Sequence, residues 1–309
     1  MKKNKILILG SKGLVGSSLV RTFSENNSYE IIGATRTDAN LFIYDETKKL
    51  IEDTKPDLII NAAAKVGGIQ ANNTQGTEFI LENLKININL LESCIPYNNI
   101  QIINLGSSCI YPLNAENPIK ESYFMSGILE PTNSPYAMAK ITAIEMGKTL
   151  NKDYGHKVIN LMPTNLYGPN DSFSKENSHV IPGIIKRMYE SKLNDLESFG
   201  LWGSGEPLRE FLFVDDLSKA IQFIIENNIE DYLINIGSGK EISIYDLACL
   251  IKEIMNFSGE IIFDNSKPDG NPRKLLDSSL INSYGWESKV GLEEGLEITY
   301  KWFLKNIKG

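Results

Sequence analysis

The sequence predicts an α/β fold, a doubly wound parallel sheet followed by a smaller C-terminal α/β lobe. Three observations carry that expectation. Short apolar runs alternate with helical spacings through the first half of the chain, a glycine-rich turn separates the first strand from the first helix, and after about Leu166 the pattern loosens into turn-rich segments.

Each element follows from its residues. Residues 5–9 are a buried-strand run that meets Gly10, and residues 14–23 take up helical spacing. A second strand is expected over 30–35. Lys55-Pro56-Asp57 leads into a third, over 58–64. Apolar residues three and four apart make 79–94 a helix, and 100–105 is a strand. Residues 136–150 form a helix closed near Gly155, and 158–162 the next strand. Beyond these, a helix near 181–189, an apolar run at 211–214 and helices over 246–255 and 292–303 are separated by turns such as Gly168-Pro169-Asn170-Asp171. At 309 residues the chain exceeds one typical domain. Two lobes around one cleft are expected: residues 1–165 for a dinucleotide, with a segment near 211–238 returning to them, and 166–309 for a substrate.

With 39 acidic against 31 basic residues the net charge is −8, which argues against nucleic acid as the main partner. An anionic small ligand stays possible, since a few local cations suffice to hold it. No run approaches the roughly 18 apolar residues of a membrane span. The apolar run after Met1-Lys2-Lys3-Asn4-Lys5 is too short for a secretory signal. Three cysteines do not make a disulfide framework, and the cytoplasm is the expected address.

Gly10-Ser11-Lys12-Gly13-Leu14-Val15-Gly16 follows a strand and opens a helix. Glycines let the backbone turn and approach a pyrophosphate, while the helix start supplies free N–H groups and positive dipole. This is the Rossmann-type arrangement for a dinucleotide. NAD binders usually carry an acidic residue at the end of the second strand; here Ala34-Thr35-Arg36 stands there. Arg36, with Lys12 in the loop, suits a 2′-phosphate, so NADP (NADPH) is expected. The bland alternative is two solvated surface cations.

Tyr136 and Lys140 lie four residues apart on one helix face. A phenol titrates near ~10, and a neighbouring ammonium, together with the cationic nicotinamide of an oxidised cofactor, is expected to lower that value. Ser107 follows the strand at 100–105, at the carboxyl edge where such sheets bind ligands. Its hydroxyl and the phenol can share one carbonyl oxygen. Cys94 and Cys249 sit in helical apolar patterns and read as core; Cys109, on its residues alone, reads the same way. His156, after the Gly155 stop, is expected at the surface, and His179 reads equally as a helix cap.

Longer stretches carry a resemblance. They are Ala62-Ala63-Ala64-Lys65-Val66-Gly67-Gly68-Ile69, Gly106-Ser107-Ser108-Cys109-Ile110-Tyr111-Pro112, Glu130-Pro131-Thr132-Asn133, Pro163-Thr164-Asn165-Leu166-Tyr167-Gly168-Pro169, Ser178-His179-Val180-Ile181-Pro182, Trp202-Gly203-Ser204-Gly205, Arg209-Glu210-Phe211-Leu212 and the run from Lys267 to Asp277. Nearly end to end, the chain resembles the extended short-chain dehydrogenase/reductases, and among them the GDP-L-fucose synthase family. The resemblance implies catalysis by Ser107, Cys109, Tyr136, Lys140 and His179. Cys109 would remove protons from C3 and C5 of a 4-keto sugar and His179 return one. Ser107 and Tyr136 would hold the enolate oxygen, and Tyr136 would protonate it on reduction.

For the cofactor, the resemblance adds Leu105, Gly106, Lys140, Pro163, Asn165, Leu166 and His179 to the glycine loop and Arg36. For a GDP-linked keto sugar it implies Arg187, Trp202, Arg209, Asp269 and Lys274, and it implies a homodimer through the helices at 79–94 and 136–150. The chain departs from the family pattern at Asn170-Asp171-Ser172-Phe173-Ser174, where a His-containing run is usual, at Phe213 in place of a His, and at Asn271 in place of a Thr. Two alternatives therefore stay open: a GDP-4-keto-heptose C4 reductase without epimerase activity, and an NAD-dependent nucleotide-sugar 4-epimerase or dehydratase. A non-enzymatic NADP-binding protein would have no use for the Tyr136, Lys140 and Ser107 set.

Overall fold

The computed structural model describes residues 3–174, 178–266 and 269–306, so Met1-Lys2 and Lys267-Pro268 of the quoted segments lie outside the described residues. The first half runs β1 (Asn4–Leu9), α1 (Leu14–Ser24), β2 (Tyr29–Ala34), α2 (Tyr44–Thr54), β3 (Leu58–Asn61), α3 (Ile69–Thr74), α4 (Gly76–Cys94), β4 (Gln101–Leu105), α5 (Ser134–Tyr154) and β5 (Lys157–Pro163). Then come β6 (Asn165–Tyr167), α6 (Val180–Leu193), β7 (Ser198–Trp202), β8 (Leu208–Phe213), α7 (Val214–Glu226) and β9 (Leu233–Ile236). The chain closes with β10 (Glu241–Ser243), α8 (Ile244–Met255), β11 (Glu260–Asp264), β12 (Arg273–Lys274), α9 (Ser279–Ser283) and α10 (Leu292–Asn306).

Six strands form one parallel sheet in the order β2-β1-β3-β4-β5-β9. Its central strands are mostly apolar because helices cover both faces. Alternate residues of β1 show this directly. Ile6 and Ile8 pack with Leu19 and Phe23 of α1 and with Leu217 and Ile221 of α7. Leu7 and Leu9 pack with Ile51 of α2 and with Leu90 and Cys94 of α4.

A polar seam crosses this apolar sheet. Asn61, Asn104 and Asn160 stand in register on β3, β4 and β5, each almost wholly buried. Asn61 Nδ2 donates to Asn104 Oδ1 at 3.1 Å, Asn104 Nδ2 to Asn160 Oδ1 at 3.1 Å, and Asn160 Nδ2 to the Tyr232 carbonyl at 3.0 Å. Buried amides are tolerated because each finds a partner.

The second region is built from smaller pieces. One sheet has the order β10-β8-β12, with β6 also pairing β8, and β11 pairs β7 separately. Helices α6, α8 and α10 enclose a core that includes Ile184, Met188, Phe199, Leu247, Ile251 and Phe303.

Four expectations need correction. The strand expected over 58–64 ends at Asn61, the last residue in register with Leu9; Ala62 and Ala63 then press against Gly10 and leave the sheet. α2 was not expected because it buries only Thr47 and Ile51 and so lacks an apolar stripe. The apolar run at 211–214 is not one element: β8 stops at Phe213 and α7 starts at Val214. His156 is only 4% exposed, because the left-handed turn at Gly155 folds it inward to place Nε2 3.3 Å from the Ile95 carbonyl.

Candidate active site

At the carboxyl end of β1 the backbone makes a tight turn. Gly10 has φ +74°, and a Cβ there would lie 3.0 Å from Ala62 and Ala63, so only glycine fits without strain. A Cβ on Gly16 would collide with the Gly10 carbonyl, which lets α1 pack directly beneath the turn. Gly13 begins α1 and no side chain caps it. The first amides of the helix, those of Leu14, Val15 and Gly16, are thus left for an anion.

These residues border a cleft of about 260 Å³ lined by Gly10, Lys12, Gly13, Thr35, Arg36 and Ala62 to Ala64. Arg36 spreads its guanidinium over Phe42, 5.0 Å from the ring centre. Both cations that a 2′-phosphate needs therefore face one cavity. Asp38, which accepts from the Thr35 amide at 2.8 Å and from its hydroxyl at 2.7 Å, is held below the usual carboxylate range mainly by those bonds and in part by Lys12. With a bare helix start, glycine-only contacts and two cations, the cleft fits a phosphorylated dinucleotide.

The catalytic candidates converge at the ends of β4 and α5. Ser107 leads into a 3₁₀ turn at Ser108–Ile110, and its Oγ accepts the Cys109 amide at 3.3 Å. Tyr136, in the first turn of α5, stands edge-on to Phe79 with ring centres 6.1 Å apart. Lys140 Nζ lies 5.7 Å from the centre of the phenol ring and donates to the Leu105 carbonyl at 2.7 Å. Lys140 is 3% exposed, and burial lowers its pKa to about 8.

The phenol departs from expectation. Its pKa is raised, first by burial and then by Cys109, with the Ser107 hydroxyl offsetting only part of that. The ammonium does not prevail because it sits over the ring and spends a hydrogen bond on Leu105, so desolvation of the phenolate wins. A phenol kept protonated suits donation to a carbonyl oxygen.

The Cys109 sulfur accepts from Asn133 Nδ2 at 3.5 Å and from Lys274 Nζ at 3.7 Å. Lys274, a nucleotide-binding candidate, thus reaches the thiol from β12. Arg209 is its register partner on β8 and also feels the Cys109 charge. Burial lowers the pKa of Arg209, whose guanidinium donates to the Leu208 carbonyl at 2.9 Å and the Asp269 carbonyl at 3.3 Å. Asp269 Oδ1 accepts the Ser204 amide at 2.7 Å.

Arg187 and Trp202 form a second group, with the guanidinium 4.5 Å from the indole centre. Burial lowers the Arg187 pKa to about 10, and its Nε has no hydrogen-bond partner. A buried guanidinium N–H left open is what an anionic ligand would satisfy.

His179 occupies the N-cap position of α6, where its carbonyl accepts the Gly183 amide but its side chain makes no cap hydrogen bond. Its imidazole opens to solvent, yet enough protein surrounds it that desolvation lowers its pKa. The adjacent Ser178 carbonyl lies against Gly68, where a Cβ would come within 2.7 Å. Among the described residues His179 makes no hydrogen bond to Cys109, Ser107 or Tyr136. Of the further cofactor candidates, Leu105 ends β4 beside Lys140, Gly106 follows it, and Pro163 ends β5. Asn165 and Leu166 lie on β6, and the Asn165 amide is committed to the Glu210 carbonyl at 2.8 Å.

Two residues of the site escaped sequence reasoning. Asn133 is one. Glu210, wholly buried on β8, is the other: its carboxylate accepts the amides of Gly239 at 2.7 Å and Leu276 at 3.0 Å. It ties the strand of Arg209 to the segment of Lys274. The only sequence signal was its position in the Arg209-Glu210-Phe211-Leu212 run.

Residues 6–237 match the model of the NAD dependent epimerase/dehydratase family. The chain is 45% identical to GDP-L-fucose synthase 1 of Arabidopsis thaliana over 99% of this chain and 95% of that protein. Its fold matches a GDP-L-fucose synthetase from Naegleria fowleri bound to NADP with TM-score 0.91 and 27% identity, covering 100% of this chain and 96% of that one. It also matches a GDP-6-OMe-4-keto-L-xylo-heptose reductase from C. jejuni with TM-score 0.90 and 30% identity, covering 99% of both chains. The chain belongs to the NAD dependent epimerase/dehydratase family and, within it, to the GDP-L-fucose synthases.

Proposed function

We propose that this protein is an NADPH-dependent enzyme that epimerises a GDP-4-keto-6-deoxymannose-type sugar at C3 and C5 and reduces it at C4, giving GDP-L-fucose. The observation that carries the reading is a thiol set into a carbonyl-reducing site: Cys109, two residues from Ser107, influences the Tyr136 phenol directly and is held from the far side by Lys274. A simple ketone reductase needs the tyrosine, serine and lysine; only a reaction that also moves carbon-bound protons uses the sulfur.

In this reading the C4 carbonyl faces the Ser107 and Tyr136 hydroxyls. Their hydrogen bonds stabilise the negative oxygen that forms when a proton leaves C3 or C5. Cys109 accepts that proton, and His179 in its imidazolium form returns one to the opposite face, made a stronger acid by the burial that lowers its pKa. NADPH, when bound, supplies the hydride for C4. Tyr136 releases its proton to the C4 oxygen. Lys140, protonated below about 8, would hold the cofactor ribose, and its charge stabilises the phenolate left when Tyr136 gives up its proton. Arg187, Arg209 and Lys274 neutralise the diphosphate, with Trp202 beside the nucleotide. Residues 1–165 serve the cofactor and 166–309 the substrate, with β9 returning to the first sheet.

The reading as a C4 reductase of GDP-keto-heptoses draws on folds shared with C. jejuni heptose enzymes at 29–30% identity, below the 45% shared with a GDP-L-fucose synthase. One experiment separates them: incubation of GDP-4-keto-6-deoxymannose with enzyme in D₂O without NADPH. Deuterium entering C3 and C5, abolished in Cys109→Ala while reduction of an already epimerised ketone persists, is expected. No deuterium uptake by the wild type leaves a reductase only.

The proposal extends to assembly and address. α4 and α5 lie side by side and leave Leu81, Ile88 and Met138 exposed, a surface suited to a second copy in a homodimer. No helix among the described residues is long and apolar enough to cross a membrane. Free cysteines suit the reducing cytoplasm.

A further inference from the structure

Asn133 occupies the N-cap position of α5, where asparagine ordinarily turns its side chain back to accept a helix amide. Here it makes no such bond. Its Nδ2 points at the Cys109 sulfur, 3.5 Å away, and its Oδ1 is buried with no hydrogen-bond partner. The loop before it is built to hold this pose. Glu130 accepts the Thr132 amide at 3.1 Å, the Thr132 hydroxyl at 2.6 Å and the Asn133 amide at 3.1 Å, so the backbone is clamped by a carboxylate two and three residues upstream. A good cap residue has been withdrawn from capping, aimed at a thiol, and left with an open acceptor. An unpaired buried acceptor is costly, and in a native site that points to a ligand group absent from the free chain.

Resting on the function proposed above, we infer that Asn133 is a positioning residue for proton abstraction. Its Nδ2 sets the direction of the Cys109 sulfur, and its Oδ1 receives a hydroxyl of the keto sugar next to the carbon that Cys109 deprotonates. The two functions use opposite ends of one amide, so the sulfur and the sugar are referenced to the same rigid group. The sulfur receives a second donor from Lys274, which fixes it from the substrate lobe. Two donors from different elements restrict the thiol to one orientation, and an error of about 1 Å in such a group costs on the order of 10²-fold in rate.

Two variants separate the two ends. Asn133→Ala removes donor and acceptor, whereas Asn133→Asp keeps an acceptor and removes the donor to sulfur. Because the side chain makes no cap bond, neither change takes a hydrogen bond from α5. Three quantities are measured on the full-length protein: deuterium uptake at C3 and C5 without NADPH, NADPH oxidation with an already epimerised ketone, and iodoacetamide alkylation of Cys109 followed by mass spectrometry.

In both variants exchange is expected to slow about 10- to 100-fold and alkylation of Cys109 to slow measurably, with the kcat for reduction close to wild type. KM for the keto sugar rises in Asn133→Ala and stays near wild type in Asn133→Asp. Exchange that survives in both variants, or exchange and reduction that fall together, overturns the inference. If the wild type itself takes up no deuterium, the functional reading fails; alkylation then decides alone, and an unchanged rate in both variants refutes the hold of Asn133 on the sulfur.

Discussion

The six-stranded sheet and the small sheets of the second region place site residues by different means. In the first, side chains are aimed by register: Ser107 stands beyond β4 because its parallel pairings with β3 and β5 set where β4 ends, and Lys140 reaches Leu105 because α5 lies along the same sheet. In the second, β8 pairs with β6, β10 and β12 over only two or three residues each, too short a ladder to aim a side chain alone. Arg209 and Lys274 owe their places to a buried carboxylate, Glu210, that binds two distant amides. Regular hydrogen-bonded structure orients the proposed chemistry, and single polar clamps orient the proposed recognition.

The comparison yields graded expectations. Replacing Tyr136 by Phe removes the proton donor without disturbing the glycine turn. The kcat for reduction should fall by roughly 10²–10⁴ while the NADPH Kd, read by fluorescence titration, stays unchanged; near-normal turnover would sink the proposed role. Arg187→Ala should act on the other side of the divide, raising KM for the GDP-sugar by about 10- to 100-fold with a smaller change in kcat, since a charge-assisted bond is worth about 1.5–3 kcal/mol. Equal losses in kcat and kcat/KM would place Arg187 with the chemistry instead.

A pH profile sharpens the contrast further. Burial lowers Lys140 to about 8, so the ammonium is complete below that value and is lost as pH rises through it. Reduction should decline on the alkaline side with a midpoint near 8, and a flat profile to pH 10 would separate Lys140 from the rate. The smallest effect is on stability alone. Asp171, one oxygen of which is buried without a partner, is raised to about 7 by burial. Its folded pKa exceeds its unfolded one, so the penalty is present above about 7 and fades as pH falls toward the unfolded value. Asp171→Asn should therefore gain on the order of 1 kcal/mol at pH 8, seen as a higher Tm, and nothing at pH 4.

Much of the first region was legible in the chain because its signals are local. The turn at Gly10 and Gly16 sits between a strand and a helix, and the Tyr136 and Lys140 pair needs only helical spacing. Arg36 comes two residues after the end of the second strand. What stayed hidden depends on contacts far apart in sequence. Lys274 meets Cys109 across 165 positions, and Glu210 meets Leu276 across 66. α2 escaped because its buried face is two residues wide, and His156 because one left-handed glycine reverses the chain. The direction of the Tyr136 pKa was missed for another reason: spacing reports that an ammonium is near, not how much water burial removes.

The amides of Asn61, Asn104 and Asn160 have a bearing on all of this. Every link runs the same way, donor to acceptor, from β3 outward to the Tyr232 carbonyl. Sliding any one of those strands by a single residue would turn its amide to the opposite face and strand its neighbours in an apolar layer. The seam therefore works as a vernier for the sheet, holding the alignment of the strand ends from which Ala62 and Ser107 project, although none of its three members lies among the proposed reacting groups.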